Sequence, residues 1–184
     1  MHKFKLGLFA LAAVFALTAA AEAADVKKRR EAPGKPAEVW EIVGDFCAIK
    51  SWHPAVAECE QTTEGDVVFR TLTLKDGGKI KEKLTDKDDT SYSYEIVEGP
   101  LPVKNYKAEL EVGEDDEPDR IEIVWKATFD PADGTSEEDA VKVISGIFND
   151  GVSGIKKAAI DADDKKRAAA GDAPHNMETD KDDD

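Results

Sequence analysis

Residues 106–112 place Tyr106, Ala108, Leu110 and Val112 on one side of an extended chain, and residues 121–129 do the same with Ile121, Ile123, Trp125, Ala127 and Phe129. Successive side chains of a strand point to opposite faces, so each stretch reads as a strand with one apolar and one polar face. A sheet made of such strands needs a cover for its apolar side. The chain supplies one. Between Ser136 and Ile160, residues Ala140, Val141, Ile144, Ile147, Phe148, Val152, Ile155 and Ala159 recur at intervals of three and four, a helix with a single apolar stripe. A one-sided sheet and a one-sided helix combine into an α+β fold with the last helix lying on the sheet.

The upstream chain extends the sheet. Val56–Thr63, Val67–Leu74, Lys79–Thr85 and Ser91–Val97 follow at hairpin spacing, separated by Glu64-Gly65-Asp66, Lys75-Asp76-Gly77-Gly78 and Asp86–Thr90. Val26–Glu31 is a further short strand, ended by Pro33-Gly34-Lys35-Pro36. A helix opens at Pro36 with Val39, Trp40, Val43 and Phe46 at helical spacing, and a short helical turn covers Cys47–Lys50. The order predicts a seven-stranded antiparallel sheet curved around the C-terminal helix. Gly146, Gly151 and Gly154 each cost that helix about 1 kcal/mol relative to alanine, which points to a close approach or a bend.

Both ends of the chain differ from this middle. Met1-His2-Lys3-Phe4-Lys5, an apolar run from Leu6 to Leu17 and Ala21-Glu22-Ala23 have the three-part pattern of a secretory signal peptide over residues 1–23. The apolar run is too short to span a bilayer comfortably, which favours a cleaved peptide over the alternative of an uncleaved anchor, and no later segment reaches that length, so no membrane span is expected in the mature form. The expected location is a Gram-negative periplasm. From Asp161 to Asp184 nine acids and four bases leave little to bury, and an acidic disordered tail is expected there, after a folded domain over 24–160. The net charge of −15 and pI near 4.6 exclude nucleic-acid binding by phosphate neutralisation. Cys47 and Cys59 are the only cysteines, and in an oxidising compartment a disulfide is the leading reading, with free structural thiols the alternative. There is no CxxC pair or partner histidine for a metal, and Asp130-Pro131-Ala132-Asp133-Gly134 lacks the ligand spacing of a calcium loop. No GxSxG, HExxH, GxGxxG or P-loop is present, and no cofactor is implied.

Several local patterns together resemble a known superfamily. They are Val39-Trp40-Glu41-Ile42-Val43-Gly44-Asp45-Phe46, Trp52-His53-Pro54-Ala55-Val56, Arg70 before Gly77-Gly78, Glu82-Lys83-Leu84, Tyr92-Ser93-Tyr94, Pro102 with Tyr106, and Trp125. They resemble the START/Bet v 1-like (SRPBCC) superfamily, in its polyketide cyclase/dehydrase-type branch associated with lipid transport. The exported acidic form is similar to MxaD-type periplasmic proteins associated with methanol dehydrogenase. The resemblance implies a helix-grip fold with a cavity between the sheet and the last helix, and it does not choose an activity.

With such a cavity, parity places Val68, Arg70, Leu72 and Leu74, Ile80, Glu82 and Leu84, and Tyr92, Tyr94 and Ile96 on the inner face. Pairing Leu74 with Ile80 and Leu84 with Tyr92 sets Leu72 and then Tyr94 opposite Glu82, with Arg70 one diagonal step away. The cluster is either a structural ion pair or the polar contact of a ligand whose apolar body Tyr92, Trp125, Ile144 and Phe148 enclose. His53 falls near the expected mouth, as a ligand contact, a general acid or base, or a hydrogen-bonded structural residue. Pro100-Leu101-Pro102 reads as a lid or a rigid turn. Three functions follow: an exported binder of a small apolar or amphipathic ligand, a cyclase- or dehydratase-like enzyme, or a partner of a basic periplasmic protein such as an oxidoreductase of the methanol dehydrogenase kind.

Overall fold

Antiparallel pairing runs unbroken from one edge strand to the other. In the computed structural model, which describes residues 23–174, the chain forms β1 (Ala24–Pro33), α1 (Pro36–Val43), α2 (Ile49–Trp52) and β2 (Val56–Glu64). It continues through β3 (Val67–Leu74), β4 (Lys79–Lys87), β5 (Ser91–Glu98), β6 (Val103–Glu114), β7 (Arg120–Pro131) and α3 (Glu137–Ala170). The seven strands lie in the order β1-β7-β6-β5-β4-β3-β2, with α3 packed on β1 and β7. This is the helix-grip arrangement, α+β in class. The signal peptide expectation falls on residues outside the described ones, except for Ala23.

The inner face is the one that alternation selects. Ala108, Leu110 and Val112 stand opposite Ala127, Trp125 and Ile123, and all six are buried in one apolar cluster with Ile144, Phe148, Val152 and Ile155 of α3. β6 begins at Val103, three residues earlier than the alternation shows, because it carries a bulge at Asn105, whose φ is 53°. The bulge breaks the period of two and hides the first part of the strand.

The register of the β3–β4 and β4–β5 pairs differs from the expectation by one pleat. The β3–β4 hairpin closes where the Leu74 N–H donates to the Gly78 carbonyl, a tighter turn than a Leu74–Ile80 pairing requires. Leu72 therefore faces Ile80, and Arg70 stands directly opposite Glu82 rather than on its diagonal. In the next pair Glu82 faces Ile96 and Leu84 faces Tyr94, so Tyr94 is the diagonal neighbour of Glu82. A shift of two residues preserves the face, which is why the parity argument survives the wrong partners.

The last helix is longer than its apolar stripe. It starts as expected, with the Ser136 hydroxyl accepting from the Asp139 N–H at 3.1 Å and three acids in its first turn. The expected end at Ile160 and an unstructured tail starting at Asp161 are corrected over 161–170: α3 continues to Ala170 and is capped by Gly171 in the left-handed conformation, while the rest of the expected tail, 175–184, lies outside the described residues. Alanine, lysine and arginine dominate 165–170 and are strong helix formers, and Lys165, Lys166 and Arg167 suit the negative end of the helix dipole. Lys157 bridges Asp161 at 2.7 Å, and Lys166 reaches Glu38 of α1 at 3.0 Å. Burial was the wrong criterion for this segment, because propensity holds it helical.

Two of the three helix glycines are sites of close approach. A Cβ on Gly154 would overlap the backbone carbonyl of Trp52, and one on Gly151 would enter the Trp125 ring, whereas a Cβ on Gly146 meets nothing within 4 Å. Gly146→Ala is expected to raise stability by about 1 kcal/mol through propensity alone. Gly154→Ala is expected to lower it by about 1–3 kcal/mol, because a carbonyl fixed in the chain cannot rotate away. Denaturant melts of the two variants check this; stabilisation by both would remove the close-approach explanation.

Candidate ligand-binding site

Cys47 and Cys59 are bridged, with Cα atoms 5.5 Å apart, which ties the segment between α1 and α2 to edge strand β2. That segment presents Phe46 to the inner sheet face. The Phe46 carbonyl accepts from Arg70 Nη1 at 2.5 Å, and its ring lies 4.0 Å from the guanidinium carbon. On the other side Arg70 Nε donates to Glu82 Oε2 at 2.5 Å, and Nη1 lies 3.4 Å from the Tyr92 hydroxyl. Arg70 is fully buried and Glu82 is 4% exposed. Burial opposes the guanidinium charge, but the Glu82 carboxylate and the Tyr92 and Tyr94 oxygens outweigh it, and the Arg70 pKa is raised. Burial raises the Glu82 carboxyl, with Arg70 drawing it back down. A guanidinium does not deprotonate in proteins, and this carboxylate is its counter-charge.

Between the sheet and α3 lies a cavity of about 70 Å³. Its walls are mostly apolar: Leu72, Ile80, Ile96 and Trp125 from the sheet, Ile144, Ile147 and Phe148 from α3, and Leu101 from the β5–β6 loop. Trp125 and Phe148 stack with ring centres 4.4 Å apart. The polar side chains in the wall are His53, Glu82, Tyr94 and Tyr106, with Trp125 contributing its indole nitrogen. Trp125 Nε1 donates to the Tyr94 hydroxyl oxygen at 3.1 Å, which lies 3.3 Å from the Tyr106 hydroxyl. Burial pushes both phenols upward in pKa, so they are neutral donors at ordinary pH.

His53 follows α2, and its ring faces both Trp125 and the cavity. Nε2 donates to the Ile147 carbonyl at 3.0 Å, and Nδ1 accepts from the Ala55 N–H at 3.2 Å. That pair of bonds specifies a neutral tautomer, and burial lowers the pKa further. Both nitrogens are engaged by backbone, which favours the structural reading of this histidine over proton transfer.

The expected site residues thus fall into two groups. His53, Glu82, Tyr94, Trp125, Ile144 and Phe148 meet around the cavity. Arg70 and Tyr92 lie behind its wall, Tyr92 packed against Trp40 and Phe46 with ring centres 5.6 and 5.4 Å away. Tyr106 and Phe46 were not among the expected contacts. Tyr106 could have been found from its alternation with Ala108 and Leu110; nothing in the sequence marks the Phe46 carbonyl. A broader depression of about 430 Å³ on the opposite sheet face is open and lined by paired charges, among them Lys126–Glu109 at 3.1 Å.

Known proteins share this fold. The protein XoxI from Bacillus cereus is 31% identical, with a TM-score of 0.70 over 76% of this chain and 98% of that one. A Thermobifida fusca protein is 24% identical, with a TM-score of 0.64 over 83% and 99%. The ZhuI aromatase/cyclase from a Streptomyces species is 16% identical, with a TM-score of 0.61 over 83% and 100%, a likeness of fold alone. No curated protein matches the sequence. The model of one family, polyketide cyclase/dehydrase and lipid transport, matches residues 23–159, from just before β1 into the part of α3 that covers the sheet. With fold, cavity and sequence match coinciding over that span, the chain belongs to the polyketide cyclase/dehydrase and lipid transport family.

Proposed function

We propose that the protein is an exported binding protein that holds a small apolar or amphipathic molecule between the sheet and α3. The cavity of about 70 Å³ carries this reading, because it combines apolar walls with a few convergent polar groups. The engagement of both His53 nitrogens supports binding over acid–base turnover. Export is supported by the pattern of residues 1–23, by the Cys47–Cys59 bridge and by β1 starting at Ala24, directly after the expected cleavage point. Among the described residues no helix is long and apolar enough to cross a membrane.

Native mass spectrometry of protein recovered from the periplasm of its own host tests both parts. The expected result is a chain beginning at Ala24 that retains a small molecule, with the adduct lost in Ile147→Trp, which fills the cavity from its α3 wall. An uncleaved chain would refute export. A bare mass for the native protein in gentle conditions, with Ile147→Trp equally folded, would refute the retained ligand.

A further inference from the structure

The charges around the cavity cancel. We infer, resting on the binding function proposed above, that the occupant is uncharged and carries a hydroxyl-type head that both donates and accepts hydrogen bonds, and is neither a carboxylate nor an amine. Among the residues lining the cavity, Glu82 holds the single formal charge, and Arg70 directly behind it neutralises that charge. Arg70 does not line the cavity: Phe46 covers one side of it and Tyr92 stands close by, and its Nη2, buried without a partner, stays behind the wall, so while Glu82 neutralises it an anion in the cavity gains no direct bond from it. His53 is neutral because both ring nitrogens are spent on backbone groups. A carboxylate head would therefore lose its water beside Glu82 with no cation to meet it. An ammonium head would have to share Glu82 with a guanidinium already 2.5 Å away. Either ion is desolvated without a counter-charge of its own, and that cost falls on affinity.

Facing the cavity, the wall keeps at least one unspent acceptor and one unspent donor. Glu82 Oε2 takes the Arg70 bond, and Oε1 accepts none among the described residues. The Tyr94 oxygen already receives the Trp125 indole N–H. Tyr94 and Tyr106 have two hydroxyl hydrogens between them, and only one can lie between their oxygens, so the other is free for a ligand. Glu82 and Tyr94 are diagonal inner-face neighbours, about 7–8 Å apart at the backbone. One hydroxyl can thus donate to the carboxylate and accept from a phenol. A water needs about 10–15 Å³, so about 70 Å³ suits a single small ring or short chain with one head.

Four probes share one ring and differ in head: benzyl alcohol, toluene, benzoate and benzylammonium. Each is titrated into the full mature protein at pH 7.5, with amide shifts around Tyr94, Ile144 and Phe148 reporting occupancy. Benzyl alcohol is expected to bind at least tenfold more tightly than either ion and more tightly than toluene. In Glu82→Gln the guanidinium is left unneutralised, and benzoate is expected to overtake the alcohol. The wild-type comparison stands by itself if that variant does not fold. Benzoate or benzylammonium binding as tightly as the alcohol, or toluene equalling it, would overturn the head assignment while leaving the binding function intact. No shift with any of the four would instead overturn the binding function for ligands of this size, and the head assignment with it.

Discussion

Arg70→Ala is expected to lower the free energy of unfolding by about 3–5 kcal/mol. The side chain is fully buried, and its removal strands the Glu82 carboxylate, 4% exposed, among Leu72, Ile80 and Ile96. It also leaves the Phe46 carbonyl without its donor. The double variant Arg70→Ala with Glu82→Gln is expected to be more stable than Arg70→Ala alone, because the charge that needed a partner is gone. Urea melts of both single variants and the double variant measure the coupling directly. Losses below about 1 kcal/mol that add simply would mean that water reaches the pair and screens it.

Replacing both Cys47 and Cys59 by alanine is expected to cost about 3 kcal/mol, from the closure entropy of a loop of about thirteen residues. The neighbour matters as much as the loop. Cys47 adjoins Phe46, which caps the Arg70 guanidinium with its carbonyl and ring, so the bridge also holds that cap against the sheet. The loss should therefore fall short of additivity when combined with Arg70→Ala, since part of it is the same contact counted twice. Full additivity would show that Phe46 is held by its own packing. Alkylation of native, unreduced protein gives the simpler check: two modified thiols would show that the bridge does not form.

What could be read from the sequence was set by which property each residue reports. Alternation reports a face, so Leu110, Val112, Ile123 and Trp125 and the stripe of Ile144, Phe148 and Ile155 were enough to specify a sheet gripping a helix. The same parity put Arg70 and Glu82 on one side. Register is decided by the turn, and Lys75-Asp76-Gly77-Gly78 is compatible both with the Leu74–Gly78 closure and with a looser one. Depth is decided by sheet curvature, which places Glu82 and Tyr94 in the cavity wall and leaves Arg70 and Tyr92 behind it. The Phe46 carbonyl and the backbone partners of His53 belong to the main chain, which every residue carries alike, so no residue type signals them. The helix beyond Ile160 was legible in its alanine and lysine content, but only to a reading by propensity rather than by burial.

The place of β1 in the sheet sets an order of events during synthesis. Ala24 pairs with Phe129 and Pro33 with Arg120, and β1 is also the strand on which α3 rests. The first strand to leave the ribosome therefore waits for one made about a hundred residues later, some 5–20 seconds at ordinary elongation rates. Until then its apolar positions, Ala24, Val26 and Ala32, have no permanent neighbour. Closure of this long-range seam is a late, non-local step, and a chain halted before β7 cannot complete its sheet however well its central hairpins have formed.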